Sequence, residues 1–212
     1  MKNFLTHKIV FIGGSTTKGH QCAGKAFPNI VAKEVNIEHV NIFSMNSIKV
    51  SDLDELFKRE KYSPRQGDVF VLQIGPGDHA PILRNKNFDK AISGKSCRRL
   101  LRKLGFAKNS TPFSDYERLV QKFVSLLLNT GVKVIWITSL VGYRRSPVER
   151  KRKLKYVKPS KILGQEPYKS KINLIDLNEL LTLEERGSDS VHPNAMGQIH
   201  IANTIMEMLE KK

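Results

Sequence analysis

Apolar and polar positions along this chain follow two rhythms. Short apolar runs recur at Ile9-Val10-Phe11-Ile12, Val40-Asn41-Ile42-Phe43, Asp68 to Ile74, Val132 to Thr138 and Ile172 to Asp176. Each is too short for a helix and bounded by turn residues, so each reads as a strand, the first over about residues 8 to 13. Between them, apolar residues recur at spacings of three and four. Phe27, Ile30 and Val31 predict a helix over Ala26 to Glu34, with Pro28 tolerable only in its first turn. Leu53, Leu56 and Phe57 predict a second, started by Ser51 and the acids after it, with Pro64 beyond its end. Ser114-Asp115-Tyr116-Glu117 has capping-box spacing and opens a third helix, whose Tyr116, Leu119, Val120, Phe123 and Leu127 share one face. Asn129-Thr130-Gly131 ends it. Ala195, Ile199, Ala202, Ile205 and Leu209 predict the inward face of a final helix.

Two stretches break this rhythm. Residues from about 80 to 113 carry no strand signal, although Ser96 to Leu104 reads as a basic amphipathic helix. Its Leu100, Leu101 and Leu104 would face inward and its Arg98, Arg99, Arg102 and Lys103 outward. Residues from about 142 to 170 hold a dense basic run from Arg144 to Lys161, interrupted by prolines. The run reads as a solvated excursion or as a surface for an anionic polymer. With those insertions set aside, strand and helix alternate about five times. That order predicts an α/β fold with a parallel sheet, helices on both faces and right-handed crossovers. The simplest organisation is a single domain over residues 1–212, with basic insertions at about 80–113 and 142–170.

Composition narrows the classes. The chain of 212 residues is 40% hydrophobic and 26% charged, a globular balance. Its formal net charge of +16 points to a polyanionic surface, substrate or partner and is silent about fold. Two cysteines, Cys22 and Cys97, provide neither a disulfide framework nor zinc spacing, which fits a reducing, cytoplasmic setting. No apolar run approaches the roughly 18 residues of a membrane span. The brief N-terminal apolar run ends in a Gly-Gly-Ser turn and reads as a first strand, not a signal peptide.

Candidate chemistry concentrates in two places. Gly13-Gly14-Ser15-Thr16-Thr17-Lys18-Gly19 puts a serine hydroxyl at the carboxyl end of a buried strand, the rim where open α/β sheets bind ligands. A phosphate-binding loop is excluded, because His20 and Gln21 stand where Lys and Ser/Thr must follow Gly19. The Gly-x-Ser-x-Gly elbow of another hydrolase class is broken by Thr17. Near the other end lies Asp189-Ser190-Val191-His192-Pro193-Asn194-Ala195-Met196-Gly197. A carboxylate three residues before a histidine can hold the imidazole ring, fix its tautomer and stabilise its protonated form.

The first block resembles the Gly-Asp-Ser-x-Thr-x-Gly signature of the SGNH (GDSL) hydrolases with Gly14 in place of Asp. The second resembles that family's closing Asp-x-x-His-Pro block. The resemblance implies a three-layer α/β/α sandwich with a five-stranded parallel sheet in flavodoxin-like order. It implies Ser15 as nucleophile, His192 as general base and then acid, and Asp189 as the orienting carboxylate, acting on esters, thioesters or acetyl groups through an acyl-enzyme. For the oxyanion hole it implies the amide of Ser15, a backbone amide after the second strand, where Ser44 replaces the family's glycine, and a donor after the third strand. There the family's Gly-x-Asn-Asp is Gly75-Pro76-Gly77-Asp78, so Gly77 lacks the side-chain amide. Loss of one such donor costs about 2.7–4 kcal/mol, or roughly 100- to 1000-fold in rate. Asn46, or a residue of the long insertion, is a candidate substitute. Asn46, Asp78 and His79 are candidate substrate contacts.

His20 also falls near the predicted rim, and Trp136 in the fourth strand of the sheet reads as core. No histidine group has metal-ligand spacing along the chain, so neither a metal nor another cofactor is expected. The leading function is a serine esterase or deacylase acting on a small-molecule or carbohydrate ester, its charge preference suggested by the basic runs. The rivals are O-acyl transfer on the same fold and a catalytically weak binding protein for a polyanion. Nucleic acid ranks last, since only Tyr143 and Tyr156 accompany the 144–161 basic run for base stacking.

Overall fold

The computed structural model describes residues 8–20, 22, 24–35, 37, 39–46, 48–74, 81–83, 107–109, 111–140, 159–189 and 191–210. In chain order they form β1 (Lys8–Gly13), α1 (Phe27–Glu34), β2 (His39–Ser44), a 3-10 turn (Val50–Asp52) and α2 (Leu53–Arg59). Then come β3 (Val69–Gln73), β4 (Pro81–Leu83), β5 (Ala107–Asn109), α3 (Phe113–Asn129) and β6 (Lys133–Ile137). The chain closes with α4 (Pro159–Leu163), β7 (Ile172–Ile175), α5 (Leu177–Leu180) and α6 (Ala195–Glu210). None of the described helices is long and apolar enough to cross a membrane.

The architecture follows from strands that are apolar on both faces. In β1, Val10 and Ile12 enter one core while Ile9 and Phe11 enter the other. The same alternation divides Phe70 and Leu72 from Val69 and Val71 in β3, and Val134 and Trp136 from Ile135 and Ile137 in β6. A strand that is apolar on both sides is stable only between two helical layers. Residues of α2, α3 and α4 cover the first face, and residues of α1, α5 and α6 the second. The five main strands are all parallel, in the order β2-β1-β3-β6-β7. The fold is therefore the expected three-layer α/β sandwich in flavodoxin-like order. Gly13 pairs with Ser44 on one side and Gln73 on the other, so β1, β2 and β3 end at one rim. The chain leaves β1 to one side for β2 and crosses to the other for β3. That reversal opens the crevice in which such sheets bind ligands.

Several local expectations are corrected. The region read as strandless contains a short antiparallel pair, Pro81 opposite Asn109 and Leu83 opposite Ala107. Three-residue strands without apolar alternation leave no periodic signal. The helix predicted over 96–104 lies outside the described residues. Ser114 does not cap α3: the helix starts at Phe113 behind Pro112, whose carbonyl accepts the Tyr116 amide at 2.9 Å. Ser51 likewise yields to Asp52, whose carboxylate accepts the Lys49 amide at 2.9 Å ahead of α2. The last part of the basic stretch is no solvated excursion, because Ile162 and Leu163 of α4 are buried in the core. The core face of α6 is also rotated from the expected one. Ile199 is 40% exposed, while Gln198, Ile201, Ala202 and Ile205 are fully buried. A glutamine at a core position had disguised the true stripe.

This rotation has a direct test. Ile201→Ala removes a fully buried side chain and should destabilise the fold by about 2–5 kcal/mol. Ile199→Ala should stay within about 0.5 kcal/mol of wild type. Denaturant midpoints of the two variants, compared at equal slope, distinguish the two faces.

Candidate active site

The chain leaves β1 through Gly13 and Gly14 and coils at once into a single helical turn. The Lys18 amide donates to the Gly14 carbonyl at 3.0 Å, and the His20 amide to the Ser15 carbonyl at 3.0 Å. A Cβ on Gly13 would lie 1.9 Å from Thr17 Oγ1, so no larger residue fits under this turn. Ser15 is carried on it, half-buried, above the ends of β1 and β3.

Gln73, the last residue of β3, secures the turn from below and is 1% exposed. Its side-chain carbonyl accepts the Gly14 amide at 3.3 Å and the Thr17 hydroxyl at 3.5 Å. Its side-chain amide donates to Ser139 Oγ at 3.1 Å, beyond the end of β6. A second buried glutamine, Gln198 of α6, secures the turn from behind. It donates to the Thr16 carbonyl at 3.0 Å and accepts the Phe27 amide, at the start of α1, at 2.9 Å.

The segment before α6 is held as tightly. The Gly187 amide donates to the His192 carbonyl at 2.7 Å, and the Asn194 amide to the Glu185 carbonyl at 2.9 Å. Asn194 Oδ1 accepts the amides of Met196 and Gly197 at 2.9 and 3.1 Å, which caps the first turn of α6. Gly197 permits this close packing, since a Cβ there would lie 2.3 Å from the Glu185 carbonyl oxygen.

These supports bring Ser15, His192 and Asp189 together. Ser15 Oγ lies 2.7 Å from His192 Nε2, and His192 Nδ1 lies 2.6 Å from Asp189 Oδ2. Asp189 Oδ1 accepts the backbone amides of Val191 at 2.9 Å and His192 at 3.0 Å. Partial burial favours the neutral form of Asp189, but the His192 hydrogen bond and the two amides outweigh it and hold the carboxyl below its ordinary range. An ionised carboxylate only accepts, so Nδ1 carries the proton that it receives. In the neutral ring, Nε2 is then the acceptor facing the Ser15 hydroxyl. Such an array can take a proton from a serine as that serine attacks an electrophilic carbon.

The other candidates are placed as follows. Ser44 is the last residue of β2, opposite Gly13, and the Met45 amide beyond it is engaged by the Gly13 carbonyl at 3.0 Å. Asn46 is the next residue, in a turn at the same rim. Gly77, Asp78 and His79 lie outside the described residues. His20 packs edge-on against His192, with ring centroids 4.7 Å apart. Although the histidines lack ligand spacing along the chain, folding brings one potential ligand atom each from His20, Asp189 and His192 within 4.8 Å of one another. Gln73 and Gln198 were not singled out from the sequence. The available signal for Gln73 was a lone amide inside an otherwise apolar strand.

No protein-family model matches this chain, and no curated protein matches it. Solved structures do. A member of the lipolytic G-D-S-L family from Veillonella parvula shares 14% identity at a TM-score of 0.61, covering 97% of this chain and 99% of its own. The acetylxylan esterase of Geobacillus stearothermophilus shares 15% identity at a TM-score of 0.60, covering 100% of this chain and 98% of its own. A putative acylhydrolase from Bacteroides fragilis shares 16% identity at a TM-score of 0.60, covering 97% and 87%. At these identities the likeness establishes the fold, which is that of the SGNH/GDSL hydrolases.

Two outcomes are expected. Gln198→Leu strands the buried Phe27 amide and leaves the Thr16 carbonyl with the Gly19 amide alone, and should cost about 1–3 kcal/mol, read by denaturant unfolding. Because the folded pKa of Asp189 is lowered, its contribution to stability is complete above its ordinary value of 3.8 and fades as pH falls through the folded value. The stability gap between wild type and Asp189→Asn, followed against pH, should therefore be open at neutrality and close on acidification.

Proposed function

We propose that this chain is a serine ester hydrolase, a carboxylic esterase or deacylase. The carrying observation is the hydrogen-bond line from Ser15 Oγ through His192 to Asp189, 2.7 Å and 2.6 Å long. Ser15 Oγ attacks the acyl carbon as its proton passes to Nε2. Asp189 holds the resulting imidazolium by the Nδ1 bond. Collapse of the tetrahedral adduct expels the alcohol, which takes the proton from Nε2 and leaves Ser15 acylated. Water then attacks the acyl-enzyme and gives a proton to Nε2, and collapse of the second adduct releases the acid as Ser15 Oγ takes that proton back. The amide of Ser15 would bind the oxyanion. Ser44 and Asn46, on either side of the Met45 amide that bonds the Gly13 carbonyl, are the candidates for a second donor at this rim.

A short acyl group, in the first place acetyl, on a carbohydrate is the substrate this reading favours. The acetylxylan esterase among the structural neighbours supports it, and the net charge of +16 favours an acceptor with an anionic portion. The same acyl-enzyme would perform acyl transfer if a sugar hydroxyl replaced water. One observation favours a weaker catalyst or a binding protein: Gly77 offers no side-chain amide where the resembled family has asparagine.

A fluorophosphonate probe should add one mass adduct at Ser15, and Ser15→Ala should carry none. Nitrophenyl acetate hydrolysis should fall at least about 1000-fold in Ser15→Ala and in His192→Ala. A folded wild type that forms no adduct and turns over no ester would overturn the reading in favour of a binding protein.

A further inference from the structure

We propose that His20 and His192 together form a binding site for a divalent transition cation of the Zn2+ class, and that its occupancy takes the His192 ring away from Ser15. The inhibitory consequence rests on the hydrolase reading above; the binding itself does not.

Three observations carry it. First, the two rings meet edge-on at 4.7 Å although they lie 172 positions apart in sequence, and one potential ligand atom of each lies within 4.8 Å of the other. Secondly, His192 already has the arrangement of a metal-bound histidine. Its Nδ1 is held by a carboxylate at 2.6 Å, which orients the ring and leaves Nε2 as the nitrogen with a lone pair to offer. Thirdly, His20 is exposed and sits on the same turn as Ser15, so its side chain has room to rotate toward the cation. Nitrogen ligands of a tetrahedral zinc at about 2.0–2.1 Å lie roughly 3.3 Å apart. A modest swing of the His20 ring closes the remaining distance.

Donor chemistry selects the ion. Two imidazoles favour Zn2+, Ni2+ or Cu2+ over Mg2+ and Ca2+, which prefer all-oxygen shells. Water and the Ser15 hydroxyl are within reach of the remaining positions. The cation would occupy the Nε2 lone pair that otherwise accepts the serine proton. The net charge of +16 opposes any cation, but charges beyond about 8–10 Å are largely screened at physiological salt. Binding should therefore be reversible and chelator-sensitive.

The test uses the full chain stripped with EDTA, titrated calorimetrically with Zn2+ and separately with Mg2+. Wild type and a Cys22→Ser, Cys97→Ser variant should bind Zn2+, which excludes thiolates as the ligands, and neither should bind Mg2+. His20→Ala should bind at least about tenfold more weakly while keeping its unfolding midpoint. Fluorophosphonate labelling of Ser15 should slow at least tenfold in Zn2+-loaded wild type, and much less in His20→Ala, each rate taken relative to the same protein in EDTA. Zinc affinity unchanged by His20→Ala, or no zinc binding at all, overturns the proposal. Binding that depends on His20 in a protein whose Ser15 never labels, with or without metal, supports the cation site and overturns the hydrolase reading instead.

Discussion

The geometry of the site depends on one buried side chain more than on any residue within it. Gln198 has no exposed surface, and both ends of its amide are engaged, one by the Thr16 carbonyl and one by the Phe27 amide. Three pieces of chain are thus joined: the turn that carries Ser15, the start of α1, and the helix that follows His192. A buried amide is tolerable only when both its donor and acceptor are satisfied. This pairing is therefore specific in a way that apolar packing is not. A Leu or Met in that position would fill the space, but would fix neither the height of the turn nor the rotation of α6.

Gln73 complements it from the other side of the turn. It links the ends of β1, β3 and β6 by bonding Gly14, Thr17 and Ser139. Its backbone belongs to the sheet, so the position of the turn is inherited from strand register: Gly13 lies opposite Gln73. Gly13 and Gly197 are the steric counterparts of these bonds. At each, a Cβ would strike its neighbour well inside van der Waals contact, at 1.9 and 2.3 Å.

How much of this could be read from the chain divides along physical lines. The five main strands and their parallel direction were legible because each is a run of β-branched and aromatic residues between turn signals, and alternating helices favour parallel topologies; their order was implied only by the resemblance to the SGNH hydrolases. Ser15 and the Asp189–His192 pair stood out because their chemistry is local, a hydroxyl after a strand and a carboxylate three residues from an imidazole. Gln198 and Gln73 were hidden because one polar residue at a core position looks like an error in the hydrophobic pattern. Gln198 went further and shifted the expected face of α6, promoting Ile199 over Ile201. The contact between His20 and His192 has no local sign at all. Ser114 and Ser51 looked like caps because hydroxyls before acids usually are, yet α3 begins behind Pro112 and α2 behind Asp52, and neither of these makes a side-chain cap bond to its helix.

Energetics put these contributions in order. A single hydrogen bond such as that between Ser15 and His192 contributes only about 0.5–1.5 kcal/mol net. The loop it closes spans 177 residues, and the entropy of bringing such distant ends together exceeds that several-fold. The bond is therefore a consequence of the fold and not one of its causes. The Asp189–His192 contact is of the opposite kind. It closes a loop of three residues and is supported by two backbone amides, so its geometry is set almost entirely within one turn. Its partly exposed members, 19% for the His192 side chain and 29% for Asp189, avoid the large desolvation cost of a buried ion pair. The local pair prepares the base, and the parallel sheet with its two glutamines delivers the serine to it. Chemistry at this rim is thus sensitive to substitutions far from the reacting atoms wherever they loosen the turn, and insensitive to surface changes that leave the two amides in place.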